Sequence, residues 1–229
     1  TKVVEQLKQG LPRTISLAVG AGLLWLLGGV LLGVYSARHA GGKRDFVLNV
    51  LALIGVSIPV FWLGALVNQY LGADLGLFPN GGYVPIAEGG IVDWAYHLVM
   101  PCFVLSLLFI GVYSRILRAK ILETQQEDFV RTARAKGLTE RQIMRRHVLR
   151  TSMIPIVTLW GLDFGLIVSG GAILTEGVFD LQGIGQYYAE SVAKLDVPPV
   201  MAVTLLGAAL LEHSAAPSAY RTRHDRYTI

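Results

Sequence analysis

The residues best placed to do chemistry in this sequence are cations. Half of the 20 Lys and Arg side chains fall within residues 115–150, interleaved there with few acids. Arg134, Lys136 and Arg141 flank Gly137, with Asp128 and Glu140 beside them as counter-charges. Such a set recognises rather than reacts: it can hold an acidic or anionic partner by charge-assisted hydrogen bonds. A second group is acidic and isolated. Asp163 lies alone inside a long apolar run, and Glu176 follows that run closely. A carboxylate at membrane depth is costly unless it faces a bundle interior or a water-filled route. Asp163 can line a solute pathway or serve as a hydrogen-bonded packing residue, and Glu176 can sit at its mouth or merely end a helix. His97 reads as a hydrogen-bonded or solvated histidine, and Cys102, the only cysteine, as a packing residue. No paired nucleophile and base and no metal-ligand cluster occurs inside the apolar runs. Gly41-Gly-Lys43 is too short for a phosphate-binding loop.

The elements that position these residues follow from hydropathy. Hydrophobic residues make up 53% of the chain and charged residues only 16%, against about 25% charged in soluble domains. Apolar residues collect in blocks at 14–35, 46–71, 94–114 and 151–174, each long enough for a helix across a hydrocarbon core of about 30 Å. A weaker fifth block covers 199–211. Helices are expected because they satisfy every backbone group internally.

Charge sets the orientation. Residues 36–45 carry Arg38, Lys43 and Arg44, and the long basic loop carries ten cations. Residues 72–93 have none, and 176–198 have only Lys194 against four acids. The first and third loops are therefore cytoplasmic, the second and fourth external. The net charge of +4 is topological and does not mark a nucleic-acid face. This orientation puts the polar start of the chain outside, which a further preceding span would explain.

Within the loop, Thr139 and Gln142 form a Thr-x-x-Gln capping box after Gly137. Two short helices joined at glycine are expected. Phe129, Val130 and Ala133 share one face of the first, and Ile143, Met144 and His147 one face of the second; such faces call for a partner to cover them. Topology and lipid attraction need fewer features than this segment has.

Asp128-Phe-Val-Arg-Thr-Ala-Arg-Ala-Lys-Gly137, continuing to His147-Val-Leu-Arg150 and Pro155, resembles the cytoplasmic EAA loop of ABC importer permeases, in the dipeptide/oligopeptide (and nickel) branch. Arg131-Thr132-Ala133 takes the place of the Glu-Ala-Ala triplet and Gly137 that of the loop glycine. Ser57-Ile-Pro-Val-Phe-Trp-Leu-Gly64, His97-Leu-Val-Met-Pro101 and Glu176-Gly-Val-Phe-Asp-Leu-Gln-Gly-Ile-Gly185 extend the likeness over about residues 11–211.

The resemblance implies an all-α, polytopic transmembrane bundle. About five spans lie in this chain and six are expected of a full family member. Residues 1–211 would form the permease domain, including the coupling loop 115–151, and 212–229 a polar tail that matches poorly. It further implies a bacterial or archaeal cytoplasmic membrane and a pathway for di- or oligopeptides, with nickel or another small solute as the alternative; a secondary carrier is the weaker rival. A second homologous permease, two ABC ATPases, an external solute-binding protein and membrane lipid would be partners, without nucleic acid. The chain itself would bind no cofactor and catalyse nothing, ATP and Mg being used by the ATPases. Docking falls to Asp128, Arg131, Ala133, Arg134, Lys136, Gly137, Glu140 and Arg141, and the pathway to Asp163 and Glu176.

Overall fold

A computed structural model describes residues 2–224, and their regular structure is helical throughout. The helices are α1 (Lys2–Arg38), α2 (Lys43–Ser57), α3 (Val60–Val67), α4 (Ile86–Thr124), α5 (Asp128–Ala135), α6 (Glu140–Ile143), α7 (Leu149–Leu166), α8 (Ile173–Val178), α9 (Ile184–Ala193) and α10 (Val197–His224). Of the polar tail read from sequence, residues up to His224 continue α10, and 225–229 lie outside the described residues.

Three helical stretches are long and apolar enough to span a membrane: Lys2–Arg38, Ile86–Thr124 and Glu140–Gly171. The second apolar block differs from the single span expected of it. It is broken into Lys43–Ser57 and Val60–Asp74, because Pro59 has no N–H to donate and holds an extended backbone (φ −61°, ψ 128°) at the start of α3. By contrast, Pro12, Pro101 and Pro155 are accommodated inside longer helices. Helix α4 exceeds its predicted span at both ends. It starts before a break at Gly90 (φ 76°) and runs on past Arg115 and Arg118 to Thr124, so the first part of the basic loop is a continuation of a span. The fifth block, Val197–Leu210, is a shorter apolar helix within α10.

The chain forms two compact units. One comprises Thr1–Leu23, Ile58–Ser106 and Gly161–Ile229. Here α3 packs on α8, and α10 on α9 and on the π-helical turn Ile167–Gly171. Phe179, Leu181 and Ile184 are fully buried. The other comprises Leu24–Ser57 and Leu107–Trp160. In it, small residues let α1 and α4 approach closely: a Cβ on Gly29 would meet the Tyr113 Cβ at 2.6 Å, and one on Gly33 the Ser114 carbonyl at 2.9 Å. Trp25, wholly buried, stacks on Phe109 at 4.5 Å. Leu31, Phe46 and Val92 stand exposed, as lipid- or protein-facing side chains of a membrane bundle do.

Candidate functional site

The basic loop is built on the second unit. At its base, the Ser152 hydroxyl donates to Thr124 Oγ1 at 3.2 Å, both groups buried, which ties the start of α7 to the end of α4. Between them, α5 ends in a Schellman turn. Gly137 N–H donates to the Arg134 carbonyl (2.9 Å) and Leu138 N–H to the Ala133 carbonyl (3.3 Å). That turn requires a left-handed residue, and Gly137 supplies it at φ 80°. Helix α6 then begins with the capping box read from sequence: Thr139 Oγ1 accepts from Gln142 N–H, and the Gln142 carboxamide accepts from Thr139 N–H at 2.9 Å. Arg134 spans the turn with two bonds to Glu140, at 2.7 and 3.3 Å.

The inward side of this pair of helices is apolar. Val130, Ala133, Ile143 and Val148 are buried, so of the two faces for which the sequence called for a partner the chain itself covers Val130, Ala133 and Ile143, and leaves Met144 and His147 half-buried. Phe129 departs from its expected face and stands 42% exposed. Of the eight residues to which the sequence reading assigned docking, Ala133 is buried; Asp128, Arg131, Arg134, Lys136, Gly137, Glu140 and Arg141 are exposed. The outcome is a preformed pair of short helices carrying an aromatic side chain among cations.

A cluster that sequence reading missed lies in the same unit. Asp45, buried, accepts from Arg118 Nε (2.7 Å) and Nη2 (2.6 Å), from the Ser36 hydroxyl, from the Gly41 backbone N–H and from Asn49. The ends of α1 and α2 are thereby fastened to α4 six positions before Thr124. In sequence, Asp45 is one acid among basic neighbours at a predicted loop boundary, and nothing there names Arg118 as its partner.

Glu176 lies in the first unit, wholly inaccessible to solvent. The Thr14 hydroxyl donates to one carboxylate oxygen at 2.6 Å, and Gln186 N–H, at the start of α9, donates to the other at 2.9 Å. Thr14 in turn accepts from Ile184 N–H at 3.0 Å. Glycines clear the space, since a Cβ on Gly183 would collide with the Glu176 carboxyl group. The Glu-x6-Gly-x-Gly spacing noted in the sequence thus serves a carboxylate that caps α9 from another helix. Burial pushes this carboxyl above its ordinary range, opposed by the bonds from Thr14, Gln186 and Gly185. Asp163 sits on α7, partly buried and with an interaction partner. His97 hydrogen-bonds the Asp93 carbonyl at 2.9 Å and lies 3.2 Å from the Asp93 carboxylate. Cys102 is buried, with its thiol 3.7 Å from the Leu17 carbonyl.

A family model, binding-protein-dependent transport system inner membrane component, matches residues 29–211. The chain is 34% identical over 212 residues to the oligopeptide transport system permease protein AppB of Bacillus subtilis (strain 168), covering 92% of this chain and 67% of that protein. It is also 34% identical over 210 residues to the dipeptide transport system permease protein DppB of Lactococcus lactis subsp. cremoris, covering 91% and 66%. The chain spans about two thirds of the length of these relatives. Among solved structures, an inward-facing MetNI methionine ABC transporter shares the fold with a TM-score of 0.75 at 17% identity over 98% of both chains. A crystal structure of an amino acid ABC transporter with histidines gives 0.70 at 16%, over 97% of this chain and 95% of the other.

Proposed function

This chain belongs to the family of binding-protein-dependent transport system inner membrane components, and we propose that it is the permease subunit of an ATP-driven importer of di- or oligopeptides. The observation that carries the reading is the cytoplasmic helix pair. A Schellman turn, a capping box and a bidentate Arg134–Glu140 pair hold α5 and α6 in one geometry, while Arg131, Lys136 and Arg141 project outward. A rigid, cation-rich element outside the bilayer suits docking into an acid-lined cleft on a separate ATPase. Displacement of that cleft during ATP binding and hydrolysis, with Mg as the nucleotide's counter-ion, would be passed to α4 and α7 through the Thr124–Ser152 contact at the loop's base.

In this reading a second homologous permease completes the pathway, two ATPases dock from the cytoplasm, and an external solute-binding protein delivers the peptide in a bacterial or archaeal cytoplasmic membrane. The peptide class is supported by the relatives that share a third of the sequence. Asp163 is the residue we assign to the pathway, as the carboxylate placed among apolar residues of α7, where it can meet the cationic end of a peptide. Glu176 enters as a positioning residue, because its carboxylate is spent on α9 and Thr14.

The test is reconstitution of the full-length permease with its ATPases and binding protein in proteoliposomes. Uptake of labelled peptide that depends on ATP and on the binding protein supports the reading; uptake that continues without ATP and follows a proton gradient overturns it.

A further inference from the structure

The second unit contains a groove of about 300 Å³ between α1, α2 and α4 that the docking loop and the pathway leave unused. Its walls are Leu32, Leu48, Leu51, Ala52, Leu107 and Ile110. Two of these, Leu32 and Leu51, are exposed at its rim. One end is polar. Ser36 and Asn49 line the groove there while bonding to Asp45, which Arg118 neutralises. Ser36 and Asn49 spend these donors on Asp45, so this end marks where a hydrocarbon-binding wall stops.

Cations adjoin that end in sequence: Arg38 follows the lining Ser36 by two residues, Lys43 and Arg44 precede Asp45, and Arg115 follows the lining Ser114. Arg38, Lys43, Arg44 and Arg115 are exposed, and none forms an ion pair among the described residues. Helical spacing places two of them in register with the groove. Arg44 is four residues before Leu48, with Leu51, Ala52 and Gly55 continuing the same face of α2. Arg115 is four residues after Gly111, itself a lining residue on α4. Charge distribution puts these cations on the cytoplasmic side. An apolar groove between spans, ending in unpaired cations at the cytoplasmic surface, has the chemistry of a bound anionic lipid.

We propose that this groove holds an acyl chain of an anionic glycerophospholipid of the cytoplasmic leaflet, with its phosphate between Arg44 and Arg115. The inference rests on the membrane orientation of the chain and is independent of the cargo. Because the Asp45–Arg118 cluster forms the groove's polar end, a lipid there would also brace the helix ends from which the loop emerges.

The experiment uses the intact transporter in nanodiscs of phosphatidylcholine with a minor fraction of phosphatidylglycerol, with retained lipid measured by native mass spectrometry after detergent extraction. Phosphatidylglycerol is expected to be enriched over phosphatidylcholine on the wild-type permease. The surface variants Arg44→Gln and Arg115→Gln should each lower that enrichment about fivefold. Gly55→Leu fills the groove with the cations intact, since a Cβ there meets nothing nearer than 3.8 Å; it should displace both lipids alike. Equal retention of the two lipids on the wild type, or retention unchanged in all three variants, overturns the proposal. So does a disulfide formed under an added thiol oxidant between Ala52→Cys and a cysteine introduced into the second permease, which would show that protein fills the groove. None of these outcomes depends on ATP or peptide, so the lipid inference can fail while the importer reading stands, and the reverse.

Discussion

Thr14 and Glu176, 162 positions apart, meet in a 2.6 Å hydrogen bond from which solvent is excluded. The bond makes the carboxylate a joint between α1 and the N-terminus of α9. Glu176→Ala would leave the Thr14 hydroxyl and the Gln186 N–H short of an acceptor in a buried site, at a cost of about 1–3 kcal/mol for each group. Thermal unfolding of the detergent-solubilised permease should fall clearly for Glu176→Ala and less for Glu176→Gln, which keeps one acceptor oxygen.

The same carboxyl predicts a pH dependence. Its folded-state pKa is raised, chiefly by burial, so in the interval between the unfolded and folded values the folded chain binds the proton more tightly. Stability then falls as pH rises through that interval, beginning near the ordinary glutamate value of about 4.3. Glu176→Gln should remove this component, leaving a flatter stability profile on the acid side. A wild-type profile that rises through the interval, and keeps rising in the variant, would contradict the assignment.

Gly183 carries a steric prediction. Because a Cβ there would overlap the Glu176 carboxyl group, Gly183→Ala must push α9 or the carboxylate aside, costing about 1–3 kcal/mol. Pairing Gly183→Ala with Glu176→Ala should recover part of that loss, which a double-mutant cycle on melting would read as non-additivity.

Asp45 and Arg118 give a fourth prediction. Removing one member of a buried pair leaves the other uncompensated, a loss of about 3–5 kcal/mol that the 25% exposure of Arg118 reduces for the arginine left behind. Arg118→Lys keeps the charge but loses the two-point grip on both carboxylate oxygens. Lower thermal stability is expected in the order wild type, Arg118→Lys, Arg118→Ala.

Three of the apolar spans and the loop's two-helix design were legible in the sequence because they follow from local rules: apolar length, a capping box and a glycine. The failures are tertiary. The block holding Pro59 has the hydropathy of one span, yet the missing N–H divides it. Val130 and Ala133 look like an unpartnered apolar face until Ile143 and Val148 are seen buried with them. The partner of Asp45 lies 73 positions away, and no periodicity reports a contact of that range. For Glu176 the signal was present in the Gly183 and Gly185 that follow it, as glycines at close spacing announce that something must approach the backbone.

Docking of the ATPase on the helix pair around Gly137 can be tested at that glycine with least disturbance elsewhere. At φ 80° a side chain is strained, while nothing lies within 4 Å of where its Cβ would stand; Gly137→Asp therefore disrupts the turn between α5 and α6 without a clash in the core. The decisive measurement is co-purification of the ATPases with the full-length permease, comparing wild type, Gly137→Asp and the paired surface variant Arg131→Glu with Arg141→Glu, together with ATP-driven peptide uptake. Both variants should yield intact permease, with ATPase recovery and uptake each reduced at least about tenfold, the equivalent of 1.4 kcal/mol of lost affinity. Full recovery of the ATPases and undiminished uptake in both variants would contradict docking at this loop.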